Sequence, residues 1–319
     1  MRPPQWLPFP PVYGKAEVRR DIIAGLTVGI LLIPQAMAYA MLAGVPPVYG
    51  IYASIFPMLA YAFLSSSPHV SVGPTALASI LALSTLGQIV PVESSTYLNH
   101  ILVLAGLTGL VQLNIGTLRL GVLISFLSRP GISGFVSAAA VLIAFSQLKG
   151  LLGLSVERTT YFHQTLAQLW QKIGTLDGAT ALVGIGSILL LLASKRWLSK
   201  WPGTLMVIIL VTALTAVFNW SDAGLAVVGD IQGGLPTFFL PEVDLSIIQL
   251  LFPAALVLAL ISFVETLSIG KKLSENHGYY RISPNRELIA LGGSKLIGAF
   301  FQAIPTSASF SRSAINEQN

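Results

Sequence analysis

Apolar runs long enough to cross a bilayer, about 17–25 residues each, recur along most of this 319-residue chain. They lack the two-residue alternation of an outer-membrane strand, so the expected fold is an all-α polytopic membrane protein. Composition agrees, with 54% hydrophobic and 10% charged residues, against roughly 25% charged in a soluble domain. Spans are read at about 21–43, 48–66, 74–88, 98–117, 120–147, 178–194, 203–219, 248–270 and 286–302, with a last one opening near 306. Arg129-Pro130-Gly131 interrupts the fifth run and is expected to set an interfacial piece before its span.

Lysine and arginine placement orients these spans. With a cytosolic N-terminus, 13 of the 18 basic residues fall inside. Only Lys149, Arg158 and Lys172 fall outside, and Lys295 and Arg312 lie at or near membrane depth. The positive-inside rule is met with a cytosolic N-terminus, and an integral protein, of the plasma (inner) membrane, is expected. The start, MRPPQWLPFPPVYGK, is proline-rich without an early apolar core, so residues 1–20 read as a cytosolic lead-in and not a cleavable signal. The net charge of +5 forms no basic stripe with interleaved aromatics, which argues against nucleic acid as a partner.

Two distant stretches share an unusual pattern: Val72-Gly73-Pro74-Thr75-Ala76-Leu77-Ala78-Ser79 and Ala303-Ile304-Pro305-Thr306-Ser307-Ala308-Ser309-Phe310-Ser311-Arg312. Each places a proline in apolar sequence and follows it with small and hydroxyl residues. Paired interruptions in two halves of a membrane protein point to a transporter's binding site. A helix that starts mid-membrane leaves its first N–H groups unpaired and its positive end facing the cavity. Two such ends facing one cavity would suit an anion. An offset of 231 carries Pro74 onto Pro305, Asp21 onto Phe252 and Gln35 onto Thr266, beside Glu265. Seven spans precede the second copy, and an odd number inverts it. The division expected is a first seven-segment repeat at 21–247 and the start of an inverted second repeat at 248–319. The chain stops inside the tenth segment, so it reads as a truncated part of a longer protein.

Arg312 beside a helix start is costly in lipid and would face a cavity as an anion-binding cation, with Ser309 and Ser311; the competing reading is an arginine snorkelling to the interface. Glu265 is a second ionisable group at mid-span, either a proton carrier or a structural partner of Arg312 or Lys271. Gln35 and Tyr39 sit one turn apart on one face of the first span, as cavity lining or as packing amide and interfacial tyrosine. Thr75 presents its hydroxyl and N–H at the first broken-helix start. Ile269, one turn after Glu265, offers no oxygen ligand, so a sodium site is not supported. The histidines share no metal-ligand spacing, Ser268–Lys272 lacks the rest of a phosphate loop, and there is no HExxH or GxSxG. Neither a metal, a cofactor nor an enzyme activity is expected.

Asp21–Tyr39, Leu42–Pro57, Val70–Thr75, Phe126–Phe135 and Ile304–Asn316 together resemble the sulfate permease (SulP) family of anion transporters, over a similarity running from about residue 15 to the C-terminus. That resemblance implies fourteen segments in a seven-plus-seven inverted repeat, interrupted third and tenth helices, core and gate domains, and usually a cytosolic STAS domain, which this sequence does not contain. It also implies elevator-like alternating access, commonly in a homodimer. By matching motifs, the anion site falls on Gln35, Tyr39, Thr75, Glu265, Ser309, Phe310, Ser311 and Arg312. The expected function is secondary transport of a small inorganic anion, sulfate first, with proton coupling through Glu265. Bicarbonate, chloride or dicarboxylate transport, channel-like conduction, and a non-transporting membrane scaffold or sensor remain the alternatives. Segments eleven to fourteen are missing, so the gate domain is expected to be incomplete, and Thr75 stands where some animal relatives carry phenylalanine, so their channel-like or electromotile behaviour is not assumed.

Overall fold

The computed structural model describes residues 14–121, 162–197 and 203–318, apart from 223, 230, 232, 278 and 279, together with parts of 134–154. The Arg129-Pro130-Gly131 interruption, the Phe126–Phe135 stretch (Gly134 apart) and residues 1–13 lie outside them. The described helices are α1 (Lys15–Leu42), α2 (Val48–Tyr52), α3 (Phe56–Leu64), α4 (Ala76–Leu86), α5 (Tyr97–Thr117), α6 (Phe162–Lys172), α7 (Gly178–Trp197), α8 (Gly203–Val217), α9 (Leu245–His277), α10 (Pro284–Phe300) and α11 (Phe310–Gln318). Two short strands, β1 (Val72–Gly73) and β2 (Ser307–Ala308), and a 3-10 turn at Ile173–Thr175 accompany them among the described residues. Four helical stretches are long and apolar enough to cross a membrane: Glu17–Leu42, Tyr97–Thr117, Gly178–Trp197 and Leu245–His277.

Most expected spans coincide with a helix. The second is divided into α2 and α3, and the expected tenth opens at Phe310 because Ser307 and Ala308 are extended in β2. α6 lies in a segment read as an outer loop. It is too short and too polar to register in a search for membrane-length runs.

The chain forms two compact units. One contains Ser133–Ile231, and the other combines Met1–Ile132 with Gln232–Asn319. In the smaller unit, Asp177 caps α7 by accepting hydrogen bonds from the Thr180 amide (3.0 Å) and hydroxyl. Those bonds hold its carboxyl below the usual carboxylate range.

In the larger unit, local signals punctuate the helices. Gly44, at φ +83°, ends α1. Its N–H reaches Met41 O at 3.1 Å, and Val45 N–H reaches Ala40 O at 3.0 Å, a paired closure that requires a left-handed residue. Pro46 and Pro47 then separate α1 from α2, and Pro284 opens α10 at the position where a missing N–H costs nothing. Gly50 lets α2 lie directly on α1, since a Cβ there would stand 1.9 Å from the Ala36 carbonyl oxygen.

The centre of this unit is the packing of α10 against α5, with α3 and α9 alongside. α5 and α10 meet at Gly109 and Gly292. A Cβ on Gly109 would lie 2.8 Å from Gly292 O, and one on Gly292 would lie 2.7 Å from Gly109 O. Helices inside a membrane gain no hydrophobic drive from one another, so close backbone approach supplies the packing energy. At one end, Glu287 of α10 is buried (1% exposed). It accepts from the Ser66 amide at 2.8 Å and from the hydroxyls of Tyr61 and Ser66, tying α10 to α3.

Beyond these spans, His69 stacks on His277 with ring centroids 4.4 Å apart, and His277 pairs with Glu317 at 3.1 Å. Burial, reinforced by His277 and opposed by Glu317 and Asp21, holds His69 below the ordinary histidine pKa. The folded chain therefore binds fewer protons here than the unfolded chain, whose histidines titrate near about 6.5. Stability is expected to fall as pH drops through that value, until the folded-state pKa is passed. His69→Gln should flatten that part of a pH series of unfolding midpoints. Separately, Gly109→Leu should destabilise the larger unit by about 1–3 kcal/mol through overpacking, read as a lower unfolding temperature in detergent.

Candidate anion site

The broken segments meet. β1 and β2 pair antiparallel, Val72 opposite Ala308 and Gly73 opposite Ser307. The pairing continues as Ser309 N–H donates to Ser71 O at 3.0 Å, and Ser71 N–H donates to Ser313 Oγ at 3.0 Å. All of Val72, Gly73, Ser307 and Ala308 are buried. Extended backbone at this depth is tolerable only because each strand supplies the other's partners.

From this crossing two helices start. Thr75 caps α4, with Ala78 N–H reaching its Oγ1 at 3.4 Å. Ser309 stands in the same relation to α11, with Arg312 N–H reaching its Oγ at 3.5 Å. Both bonds are long, so neither hydroxyl is committed to its own helix. These capping residues are 234 positions apart, three more than the offset that carries Pro74 onto Pro305. The prolines are not equivalent: Pro74 follows its strand, and Pro305 precedes its own.

Arg312, on the first turn of α11, is fully buried (0% exposed), which excludes snorkelling. Its Nη1 donates to Pro74 O at 3.0 Å, across the crossing to the other broken segment. Its Nε and Nη2 are buried with no hydrogen-bond partner among the described residues. Gly73 makes room for it, since a Cβ there would stand 3.2 Å from Nη2. Glu265, on α9, accepts a hydrogen bond from Ser307 Oγ, and its charge acts on both Arg312 and Lys295. No ion pair within 4.0 Å joins Glu265 to a cation among the described residues. The structural-partner reading with Arg312 or Lys271 thus finds no direct contact.

Tyr39, on α1, lies within electrostatic reach of Arg312. Gln35, one turn earlier, has its side-chain oxygen buried with no hydrogen-bond partner among the described residues. Phe310 is 43% exposed, and Ser311 is exposed on the first turn of α11, its hydroxyl 3.2 Å from that of Ser309. The structure therefore brings Tyr39, Thr75, Glu265, Ser309 and Arg312 around one crossing and leaves Phe310 and Ser311 at its margin.

Three participants were not singled out from sequence. Ser307 is one hydroxyl among several in its stretch, and only strand register aims it at Glu265. Gly73 had no visible purpose before Arg312 was placed. Lys295, 2% exposed, donates to Gln112 Oε1 at 2.9 Å, and its partner lies on a helix 183 residues away in sequence.

These features define a class: a helical membrane protein in which two interrupted segments cross and leave buried guanidinium donors unspent. A profile of the sulfate permease family matches residues 18–319, and the chain belongs to that family. It is 37% identical over 308 residues to a probable sulfate transporter 4.2 of Arabidopsis thaliana, covering 94% of this chain and 45% of that protein. It is 33% identical over 303 residues to a probable sulfate transporter of Mycobacterium tuberculosis, covering 95% and 54%. Its fold is similar to that of the murine Slc26a9 anion transporter in an inward-facing state, with TM-score 0.89, 28% identity, and coverage of 98% of this chain and 55% of that one. The chain thus spans about half the length of these relatives.

An arginine with two buried, unsatisfied donors costs stability wherever no ligand meets them. Arg312→Met should raise the unfolding temperature of the purified protein in anion-free buffer, by an amount corresponding to about 1–3 kcal/mol. A lower temperature would mark Arg312 as a structural strut.

Proposed function

We propose that the protein containing this chain is a secondary active transporter of a small inorganic anion, with sulfate as its leading substrate. The observation that carries this reading is Arg312, whose Nε and Nη2 are buried at the crossing of two helix starts with no hydrogen-bond partner among the described residues. A guanidinium matches the planar edge of an oxyanion. The N-termini of α4 and α11 add partial positive charge and free N–H groups beside it. Thr75 and Ser309 supply hydroxyls, while Gln35 and Tyr39 line the α1 side; Ser311 and Phe310 edge the opening. The names of the relatives support sulfate, since both are named probable sulfate transporters.

Glu265 is the group through which proton coupling runs in this reading. Its carboxylate opposes an anion and its neutral form does not, so protonation and anion binding favour each other. The substrate then crosses by elevator-like alternating access. The moving body is the unit made from both ends of the described chain, which holds α5 along with the first three and last three segments. Residues 21–247 and 248–319 correspond in this proposal to a first repeat and the opening of an inverted second one, in a protein that works as a homodimer.

Radiolabelled sulfate uptake into proteoliposomes, using the full-length protein, tests this. Arg312→Ala should abolish saturable uptake at unchanged protein incorporation, and normal uptake would remove Arg312 from the site. Glu265→Gln should remove the stimulation of uptake by an inward proton gradient. A membrane scaffold would show no saturable flux in the unsubstituted protein. A channel would show current that follows the electrochemical gradient with no proton dependence.

A further inference from the structure

Lys295 is a buried cation that the proposed site does not use. It lies on α10 and is 2% exposed. Nζ donates to Gln112 Oε1 at 2.9 Å. The Gln112 amide nitrogen in turn donates to Ala259 O and to Ser262 Oγ, both at 2.9 Å. Ser262 precedes Glu265 by one helical turn on α9, so the network ends beside that carboxylate. Gln112 spends its nitrogen on α9, which orients its oxygen toward the ammonium. Its amide is neutral, and a neutral acceptor does not balance a full charge removed from water.

The compensating charge comes from Glu265. The elements around Lys295 offer no other nearby anion among the described residues. α5 contributes the neutral Gln112. α3 contributes Tyr61, whose hydroxyl is taken by Glu287, two turns away along α10. Glu265 acts on Lys295 and on Arg312 alike. Beside Glu265, α11 contributes Arg312, and Tyr39 of α1 lies within electrostatic reach of Arg312. One carboxylate thus stands between two cations in a medium where charges are weakly screened.

We propose that Lys295 sets the charge of the substrate: with Arg312 it gives the site two positive charges against the single carboxylate of Glu265, so that the site takes a divalent oxyanion together with a proton in preference to a monoanion. With Glu265 protonated, two positive charges meet a dianion and the site is neutral. With Glu265 ionised, one net positive charge remains and a monoanion suffices. Without Lys295, the neutral combination for the protonated state becomes a monoanion. The inference rests on the anion site proposed above, and it assigns Lys295 as a positioning charge that need not touch the substrate.

Calorimetric titration of the full-length protein in detergent with sulfate and with chloride tests it. Lys295→Met should lower the ratio of sulfate to chloride affinity by about tenfold or more, with chloride binding retained. Lys295→Arg should keep that ratio close to that of the unsubstituted protein. An unchanged ratio in Lys295→Met overturns the proposal. If the substituted proteins do not fold, the unsubstituted protein decides, through titrations in buffers of different ionisation enthalpy from acidic to mildly alkaline pH. Somewhere in that range sulfate binding should take up about one proton more than chloride binding; equal uptake throughout overturns the proposal. Failure of the underlying reading looks different. No binding of either anion by the unsubstituted protein would remove the anion site, and this proposal with it.

Discussion

Two residues of backbone pairing, Val72–Gly73 against Ser307–Ala308, hold the crossing of the broken segments in place. In an apolar interior an unpaired amide or carbonyl is costly, so neither segment could leave helical geometry there alone. Each supplies the other's hydrogen bonds, and both helix starts are thereby fixed at one point. Arg312 depends on this register. Its guanidinium reaches Pro74 O only because α11 begins beside the end of β1, and Gly73 clears the space it occupies.

The buried charges around that point are left less fully paired than stability alone would favour, which is what the proposed anion site requires. Arg312 keeps two donors unpaired, while Glu265 takes a hydroxyl from Ser307 and makes no ion pair within 4.0 Å among the described residues. A structure selected only for stability would close such a triad into direct pairs or replace it with packed apolar side chains. Glu287 illustrates the contrast. It is buried on the same helix as Lys295, and its two oxygens are met by Tyr61 and Ser66. It binds α3 to α10 and leaves nothing to offer a ligand.

Glycine does on the helix faces what hydrogen bonding does at the strands. Gly50 of α2 against α1, and Gly109 with Gly292 between α5 and α10, allow contacts that a single methyl would block. Rigid packing around α10 matters to the site because Lys295 and its partner Gln112 come from the two helices joined at that glycine contact. The same packing draws α5 into the body that carries the crossing.

Hydropathy alone located α1, α5, α7 and α9, since membrane-length apolar runs have few alternative structures. α5 and α7 match nearly to their ends, while α1 starts at Lys15 and α9 runs on to His277, well outside the expected 21–43 and 248–270. The broken segments were legible too, because Pro74 and Pro305 with their hydroxyl residues leave a local chemical trace. So were Arg312 and Glu265, ionisable residues in runs otherwise nearly free of charge. What sequence could not specify was pairing across distance. The 231 offset aligned the prolines, whereas register places Thr75 opposite Ser309 in role, because one proline follows its strand and the other precedes it. Ser307's aim at Glu265, and the path from Lys295 through Gln112 to Ser262, also appear only in the folded chain. Local composition dictates where a helix must form or break, but which buried polar groups share one small volume depends on how distant segments pack, and the tertiary structure alone decides that.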